Sequence, residues 1–370
     1  MRHISMTCIA ALLCLGFVGC STSRSRHDPE AVHNTPHPVF SMAMQQQDIT
    51  VAVSPVRQTM QIGGSITTLL GAGISAVQDN QYSVRVREAL GDYDPCAVFR
   101  EKMEQHIAQG FNQELAQVAP QGTSAGLADA REARKVRLNG LRQKGYDTTL
   151  DLELSFGLYG PQGILAVKVA GELFDVQAGR LLWRNEVAWY SVELFADLRW
   201  SDPMQRMMPN ITAPRLSVAG DAISQWTPEN AAPLRVAFEE AVDAVSAAIL
   251  ADLGLKETPD GLHTLGAYLL LNGKNAAAAE KFTRALELAP DMPESVNGLA
   301  VALAKNKQLD EAITLSEKLV EVHPDYMPGQ YNLAWWYAVE KKNPELARPH
   351  YEKALALGVS PSRRIEKSIK

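Results

Sequence analysis

Hydrophobic and polar positions follow two rhythms along this chain, and the change between them divides it. Leu150, Leu152, Leu154, Phe156 and Leu158 alternate with Thr149, Asp151, Glu153, Ser155 and Gly157. A period of two sends successive side chains to opposite faces of a strand, so this stretch predicts a half-buried antiparallel one. Gly160-Pro161-Gln162-Gly163 predicts a turn, residues 164–176 a return strand, and residues 175–180 a second turn into a third strand over 181–194. Residues 49–56 also alternate, with Pro55 marking the end of that strand. A helical rhythm runs through Phe99, Met103, Ile107, Phe111 and Leu115, behind an Asp94-Pro95 pair suited to a helix start. His106 lies beside that stripe and reads as structural. A second stripe, Leu234, Phe238, Val242, Val245, Ile249 and Leu253, predicts a helix over 233–253. The basic segment 127–144, with Arg131, Arg134, Lys135, Arg137, Arg142 and Lys144, reads as a surface helix with a solvated basic face, or else one that meets an acidic surface. Strand, helix, helix, three-strand meander and helix together predict an α+β fold: an antiparallel sheet with helices packed on one face.

Beyond Pro259 the rhythm is helical throughout, and the chain repeats itself every 34 residues. Leu265, Ala278, Ala285 and Pro290 recur as Leu299, Ala312, Leu319 and Pro324, and Asp291 as Asp325. These positions, with the pairs Leu265-Gly266 and Leu299-Ala300, resemble consecutive tetratricopeptide repeats. The resemblance implies antiparallel helix pairs that cannot bury their apolar faces alone and therefore stack into an all-α domain. A third repeat follows in 327–358: Leu333-Ala334 are in register, while Ala347, Tyr351, Ala354 and Leu355 come one residue late. Pro344 and Pro349 fall in its second helix, where an interior proline needs the first turn or a kink. Residues 360–370, with Arg363, Arg364, Lys367 and Lys370, read as a frayed or capping end.

The same resemblance implies a concave groove lined by the first helix of each repeat, where a protein partner binds. Carried over position by position, the groove takes His263 and Ala267 from repeat one, Asn297, Val301 and Lys305 from repeat two, and Tyr331 and Trp335 from repeat three. Aromatic and apolar residues outnumber the single lysine, so an extended or helical partner segment is expected rather than an acidic peptide terminus. Neighbouring helix residues point about 100° apart, so Trp335 and Trp336 cannot both face the groove, and one of them is expected in the core.

At the other end, Arg2 precedes the apolar run 9–18, which is about ten residues long where a membrane span needs about 20. It leads to Phe17-Val18-Gly19-Cys20, which resembles a bacterial lipoprotein lipobox, with Phe17 in place of the usual leucine. That resemblance implies lipidation of Cys20 and a membrane anchor, and Ser21, where an aspartate would favour the inner membrane, favours the outer one facing the periplasm. Residues 20–47 are polar and read as a disordered tether in which His27, His33 and His37 are solvated rather than metal-bound. The expected divisions are a signal at 1–19, the tether at 20–47, an α+β domain at 48–255 and repeats at 256–370 (259–292, 293–326 and 327–358). The element order of 49–255, with Gly145-Tyr146-Asp147 and the hairpin Asp175, Gly179 and Leu182-Trp183, resembles envelope lipoproteins that include the curli-secretion lipoprotein and the activator of penicillin-binding proteins. It implies envelope assembly or secretion work without catalysis, with a possible homo-oligomer or a secretion channel as the alternative. Against membrane-crossing strands stand Lys168, Glu172, Asp175, Arg184 and Glu186.

Composition narrows the chemistry. A formal net charge of −6 argues against nucleic acid, which needs a concentrated basic surface. Gly71-Ala72-Gly73-Ile74-Ser75-Ala76 fits a dinucleotide fingerprint in spelling, yet no second strand follows it, and a nucleotide-binding enzyme is the remote alternative. Residues 63–77 read instead as a packed hydrophobic loop, or else as a contact with membrane or subunit. Cys96, the one cysteine left after signal removal and acylation, reads as a small buried residue. Glu239-Glu240 reads as a solvated pair. No Ser/His/Asp, Cys/His or metal-spaced set stands out, so neither an enzyme nor a cofactor is expected. Residues 196–227, rich in Met, Trp and Pro, form a second candidate interface.

Overall fold

The computed structural model describes residues 35, 37–53, 65–120, 127–198 and 222–370, without the side chains of 65–77 and 127–130. The lipobox, Cys20, most of the expected tether and residues 199–221 lie outside the described residues.

Among the described residues, six strands make one mixed sheet. They are β1 (Pro38–Met44), β2 (Thr50–Ala52), β3 (Ala116–Gln117), β4 (Thr148–Tyr159), β5 (Ile164–Asp175) and β6 (Arg180–Tyr190). The order is β3-β1-β4-β5-β6, with β2 also beside β4. The meander β4-β5-β6 is antiparallel, as its alternation requires, while β1 and β2 both run parallel to β4. The purely antiparallel sheet expected above is therefore corrected. Its missing strand, β1, lies within the stretch read as tether, where Val39, Phe40 and Met42 are buried and their backbone pairs with β4. The third meander strand stops at Tyr190 and not at residue 194. The Ser191 hydroxyl accepts from Leu165 N–H at 2.9 Å and ends the ladder there.

The helices of this half are α1 (Ser65–Leu90), α2 (Pro95–Phe111), α3 (Leu127–Gln143) and α4 (Pro228–Asp252). Residues 65–77, expected as a loop, belong to α1. Gly71 and Gly73 therefore sit inside a helix, not in the strand-to-helix turn from which glycines cradle a phosphate. Asp94 caps α2 by accepting from the N–H groups of Cys96 and Ala97. Helix α2 ends at left-handed Asn112, so Leu115 falls beyond the stripe. In α4 the residues Glu229, Asn230 and Ala231 are left-handed, and regular helix begins near Pro233, a residue suited to a first helical turn. Phe99 of α2, Phe156 of β4 and Phe238 of α4 meet with ring centroids 5.0–6.1 Å apart at the centre of the core. His106 of α2 finds Asp243 of α4 at 3.1 Å, a structural tie between the two helices.

The opposite face of the sheet is covered too, which corrects both the one-sided packing and the solvated basic helix. Arg137 of α3 forks onto Asp151 of β4 at 2.6 and 2.7 Å, and Arg134 reaches Glu172 at 3.3 Å while lying over the Phe174 ring. The arginine stems cover apolar sheet surface, and their planar heads satisfy the outward carboxylates of the strands. Leu138 and Leu141 complete this layer with Val39, Phe174 and Val176.

The second half is a stack of helices: α5 (Pro259–Leu271), α6 (Asn275–Leu288), α7 (Pro293–Lys305), α8 (Leu309–Val322), α9 (Met327–Trp335), α10 (Pro344–Ala356) and α11 (Arg363–Ser368). Of the recurring positions, Leu265, Leu319, Leu333, Ala278, Ala312, Ala285, Ala347 and Ala354 are buried and Leu299 is half-buried, while the turn residues Pro290 and Asp291 are exposed. The Phe282 ring of α6 lies between two helix glycines: a Cβ on Gly266 would come within 2.9 Å of it and one on Gly298 within 2.5 Å. Helix α9 continues as a π-helical turn over Trp336–Glu340, with Lys341 N–H bonded to the Trp336 carbonyl at 2.8 Å. A π turn holds one extra residue, which is why Ala347, Tyr351 and Ala354 come one position late. Asn343 caps α10, Pro344 opens it, and Pro349 sits in its second turn.

No polar linker separates the halves. Helix α4 packs on the sheet with one side and on α5 with the other, so closely that a Cβ on Gly261 would stand 2.7 Å from the Ala247 carbonyl oxygen. It thus gives repeat one the neighbour that a terminal repeat needs. The distal end is closed by residues 360–370, which cap: Ser362 starts α11, its N–H donates to the Tyr351 hydroxyl at 2.7 Å, and Ile365 is fully buried.

Candidate functional site

The concave side of the stack is built from α5, α7 and α9, and part of it is already filled. After β6 the chain leaves the sheet and runs across α7 and α9 as a strap, residues 192–198, which turns where Leu198 N–H donates to the Phe195 carbonyl at 3.1 Å. Leu194, Phe195 and Leu198 of the strap are buried in the same cluster as Val301, Ala334 and Trp335 of the repeats.

Two asparagines hold the strap by its main chain. The Asn297 amide donates to the Leu194 carbonyl at 3.0 Å, and the Asn332 amide donates to it at 3.1 Å. Asn332 also donates to the Asn297 side-chain oxygen at 2.8 Å and accepts from Ala196 N–H at 2.6 Å. One carboxamide thus engages the carbonyl of residue 194 and the N–H of residue 196, the pair a neighbouring β-strand would take. Both asparagines are essentially fully buried, which is tenable because each polar end has a partner. Two strap side chains are also recognised. The Phe195 ring meets Tyr331 edge-on at 5.1 Å, and the Tyr331 hydroxyl donates to Asp197 at 3.1 Å. Partial burial lowers the pKa of Lys305, and the nearby Asp197 carboxylate opposes that shift.

Toward repeat one the concave side stays open as a cleft of about 460 Å³ against the edge of the sheet. His263, Thr264, Ala267 and Asn297 line its helical wall, Trp189 and Trp226 the sheet side, and Glu193, Glu294 and Tyr326 its polar rim. Burial holds the His263 imidazole neutral, its pKa lowered to about 4, while its Nδ1 pairs with the Ser295 hydroxyl at 3.0 Å. Burial, then the charge of Glu294, pushes the Glu193 carboxyl up, and burial with both glutamates pushes the Tyr326 phenol up.

Of the residues expected to bind a partner, Asn297, Val301, Lys305 and Tyr331 gather along the strap, and His263 lines the open cleft. Trp335 is buried at 7% exposure beneath Arg364 of α11, 5.0 Å from its ring, and Trp336 is buried at 2%. Both tryptophans are thus in the core. Position-by-position transfer missed Asn332, which follows the groove position Tyr331, and the whole strap. A polar Asn332 amid Tyr331, Leu333 and Ala334 in a helix interior was the signal available for the first. Elsewhere, Cys96 is partly buried, its pKa raised by burial and by Asp94, with Sγ 3.4 Å from the Gln46 carbonyl. Glu239 meets the Tyr93 hydroxyl at 3.4 Å. Of the second candidate interface, only residues 196–198 and 222–227 are described, and Trp226 there bonds the Gly163 carbonyl at 2.6 Å.

Residues 269–334 match the tetratricopeptide repeat family. Among solved structures, the chain is similar to the Sgt2 TPR domain from Aspergillus fumigatus, at 22% identity over 30% of this chain and 74% of that one, TM-score 0.28. It is also similar to YrrB, described as a TPR protein with an unusual peptide-binding site, at 25% identity over 37% of this chain and 69% of that one, TM-score 0.29. No curated protein matches the chain. No helix of the described residues is long and apolar enough to cross a membrane.

Proposed function

We propose that this chain is a non-catalytic interaction scaffold, held by lipid on Cys20 to the periplasmic face of the outer membrane, that docks a protein partner on the concave side of its repeats in cell-envelope assembly or secretion. One observation carries the docking: Asn297 and Asn332 grip a polypeptide segment, the chain's own residues 194–196, by its main chain while Tyr331 reads its side chains. Main-chain capture by side-chain amides is chemistry for a polypeptide ligand and not for a small metabolite. The family matched by residues 269–334 supports the same reading. The anchor rests on the lipobox-like Phe17-Val18-Gly19-Cys20 alone.

Two measurements test the two parts. A photo-crosslinking residue at Ala267, in the open cleft, is expected to capture one discrete polypeptide in cells, and Asn297→Ala is expected to weaken that adduct. The absence of any adduct removes the scaffold. For the anchor, Cys20→Ser protein is expected in the soluble fraction, and its continued sedimentation with membranes removes the lipid.

A further inference from the structure

The strap is held as a ligand would be. Leu194, Phe195 and Leu198 bury apolar surface against the repeats, and in addition two buried asparagines address the strap's backbone and a tyrosine hydroxyl addresses its carboxylate. Each of those polar groups can be satisfied by water once the strap leaves, so departure strands none of them in an apolar interior. The strap is also a short excursion. It starts at Ser191, pinned to Leu165 of the sheet, and its backbone forms no ladder with any strand. Nor does any repeat helix depend on it for its own hydrogen bonds: the Asn side chains, not the helix backbones, hold it. The backbone hydrogen bonds of the sheet and of the repeat helices are thus made without residues 192–198.

Resting on the docking reading above, we propose that residues 192–198 are a resident occupant of the concave face that a partner segment of the same chemistry displaces: a backbone that turns as residues 195–198 do, with an aromatic side chain followed two positions later by a carboxylate. Phe195 and Asp197 define that spacing, one against the Tyr331 ring and the other on the Tyr331 hydroxyl near Lys305. The main-chain grip on residues 194 and 196 is made through backbone atoms, so selectivity falls to Phe195 and Asp197. A tethered occupant lowers the apparent affinity for a competitor by the fraction of molecules in which the face is free. The strap thus sets a threshold that only a matching segment crosses, and weakening it raises affinity for such a segment.

The test uses the full chain and a fluorescein-labelled peptide of sequence Ser-Val-Glu-Leu-Phe-Ala-Asp-Leu, residues 191–198. Binding is followed by fluorescence anisotropy. The Phe195→Ala/Asp197→Ala protein is expected to bind the peptide at least tenfold more tightly than the unaltered protein. Adding Asn332→Ala is expected to abolish that gain, and a peptide with alanine at the Phe and Asp positions is expected not to bind. Should the double variant fail to show cooperative thermal unfolding, Asp197→Asn alone replaces it, with a smaller gain expected. Equal affinity of a folded strap variant and the unaltered protein overturns the proposal, as does a gain indifferent to Asn332→Ala. No cellular partner enters this measurement, so its failure leaves the crosslinking result standing, and the reverse also holds.

Discussion

At the residue scale, the buried polar groups of the concave face set the expectations. His263 has a folded-state pKa of about 4 against an ordinary value of 6.5. Below about pH 6.5 the unfolded chain takes up a proton that the folded chain refuses, so stability is level above that pH and falls as pH drops toward 4. The loss attributable to His263 is roughly 2–3 kcal/mol by pH 4. His350, also lowered by burial, acts in the same direction, while Glu193, raised by burial and Glu294, acts in the opposite one. Urea titrations at pH 7.5 and pH 4.5 on the unaltered protein and on His263→Gln isolate the histidine: the variant is expected to lose less stability between the two. The second expectation concerns Asn332→Ala. It leaves the Ala196 N–H and the Asn297 side-chain oxygen without their partner, at a cost of about 2–4 kcal/mol. Loss of less than about 1 kcal/mol in the same titration would mean that water replaces the amide freely.

At the element scale, close approach explains what composition could not. Gly298 lies inside α7, where alanine ordinarily gains about 1 kcal/mol of helix propensity. Here a Cβ would stand 2.5 Å from the Phe282 ring, itself held from the other side by Gly266. Overpacking costs about 1–3 kcal/mol and outweighs the gain, so Gly298→Ala is expected to lower the melting temperature. Gly140 of α3 is the control: nothing lies within 4 Å of its Cβ direction, and Gly140→Ala is expected to stabilise by about 0.5–1 kcal/mol. Melting curves of the two variants that moved in the same direction would refute the steric account. Much of the element pattern was legible in the sequence. The meander alternation, the Asp94 cap and the recurring small residues of the repeats each carry a local signal that neighbours do not alter. Strand β1 was not legible, because prolines and glutamines on either side hid seven residues whose order depends on pairing with β4. The basic face of α3 was misread for a similar reason, since only the folded sheet brings Asp151 and Glu172 beneath its arginines.

At the scale of the whole molecule, the two halves are tied together through α4, through the strap, and through the Tyr268 hydroxyl of α5, which donates to Glu186 of β6 at 2.6 Å. Helix α4 serves both the sheet and the first repeat, and the strap carries the chain from the sheet edge into the concave face. A repeat stack needs cover at each end, and this chain supplies it with α4 at one end and α11 at the other. The candidate groove row was legible from the 34-residue register, which brought Asn297 and Tyr331 into line. That the chain's own residues 192–198 lie on that row was not, because the contact spans more than one hundred positions and joins a strand's end to a helix interior.

Amide hydrogen exchange at Ala196 tests that arrangement most directly. Its N–H points at the Asn332 side chain with no strand or helix partner, so protection there reports the seated strap and little else. Slow exchange in the unaltered protein, accelerated at least a hundredfold by Asn332→Ala, is the predicted result. Exchange at the rate of an unstructured peptide in the unaltered protein would contradict it.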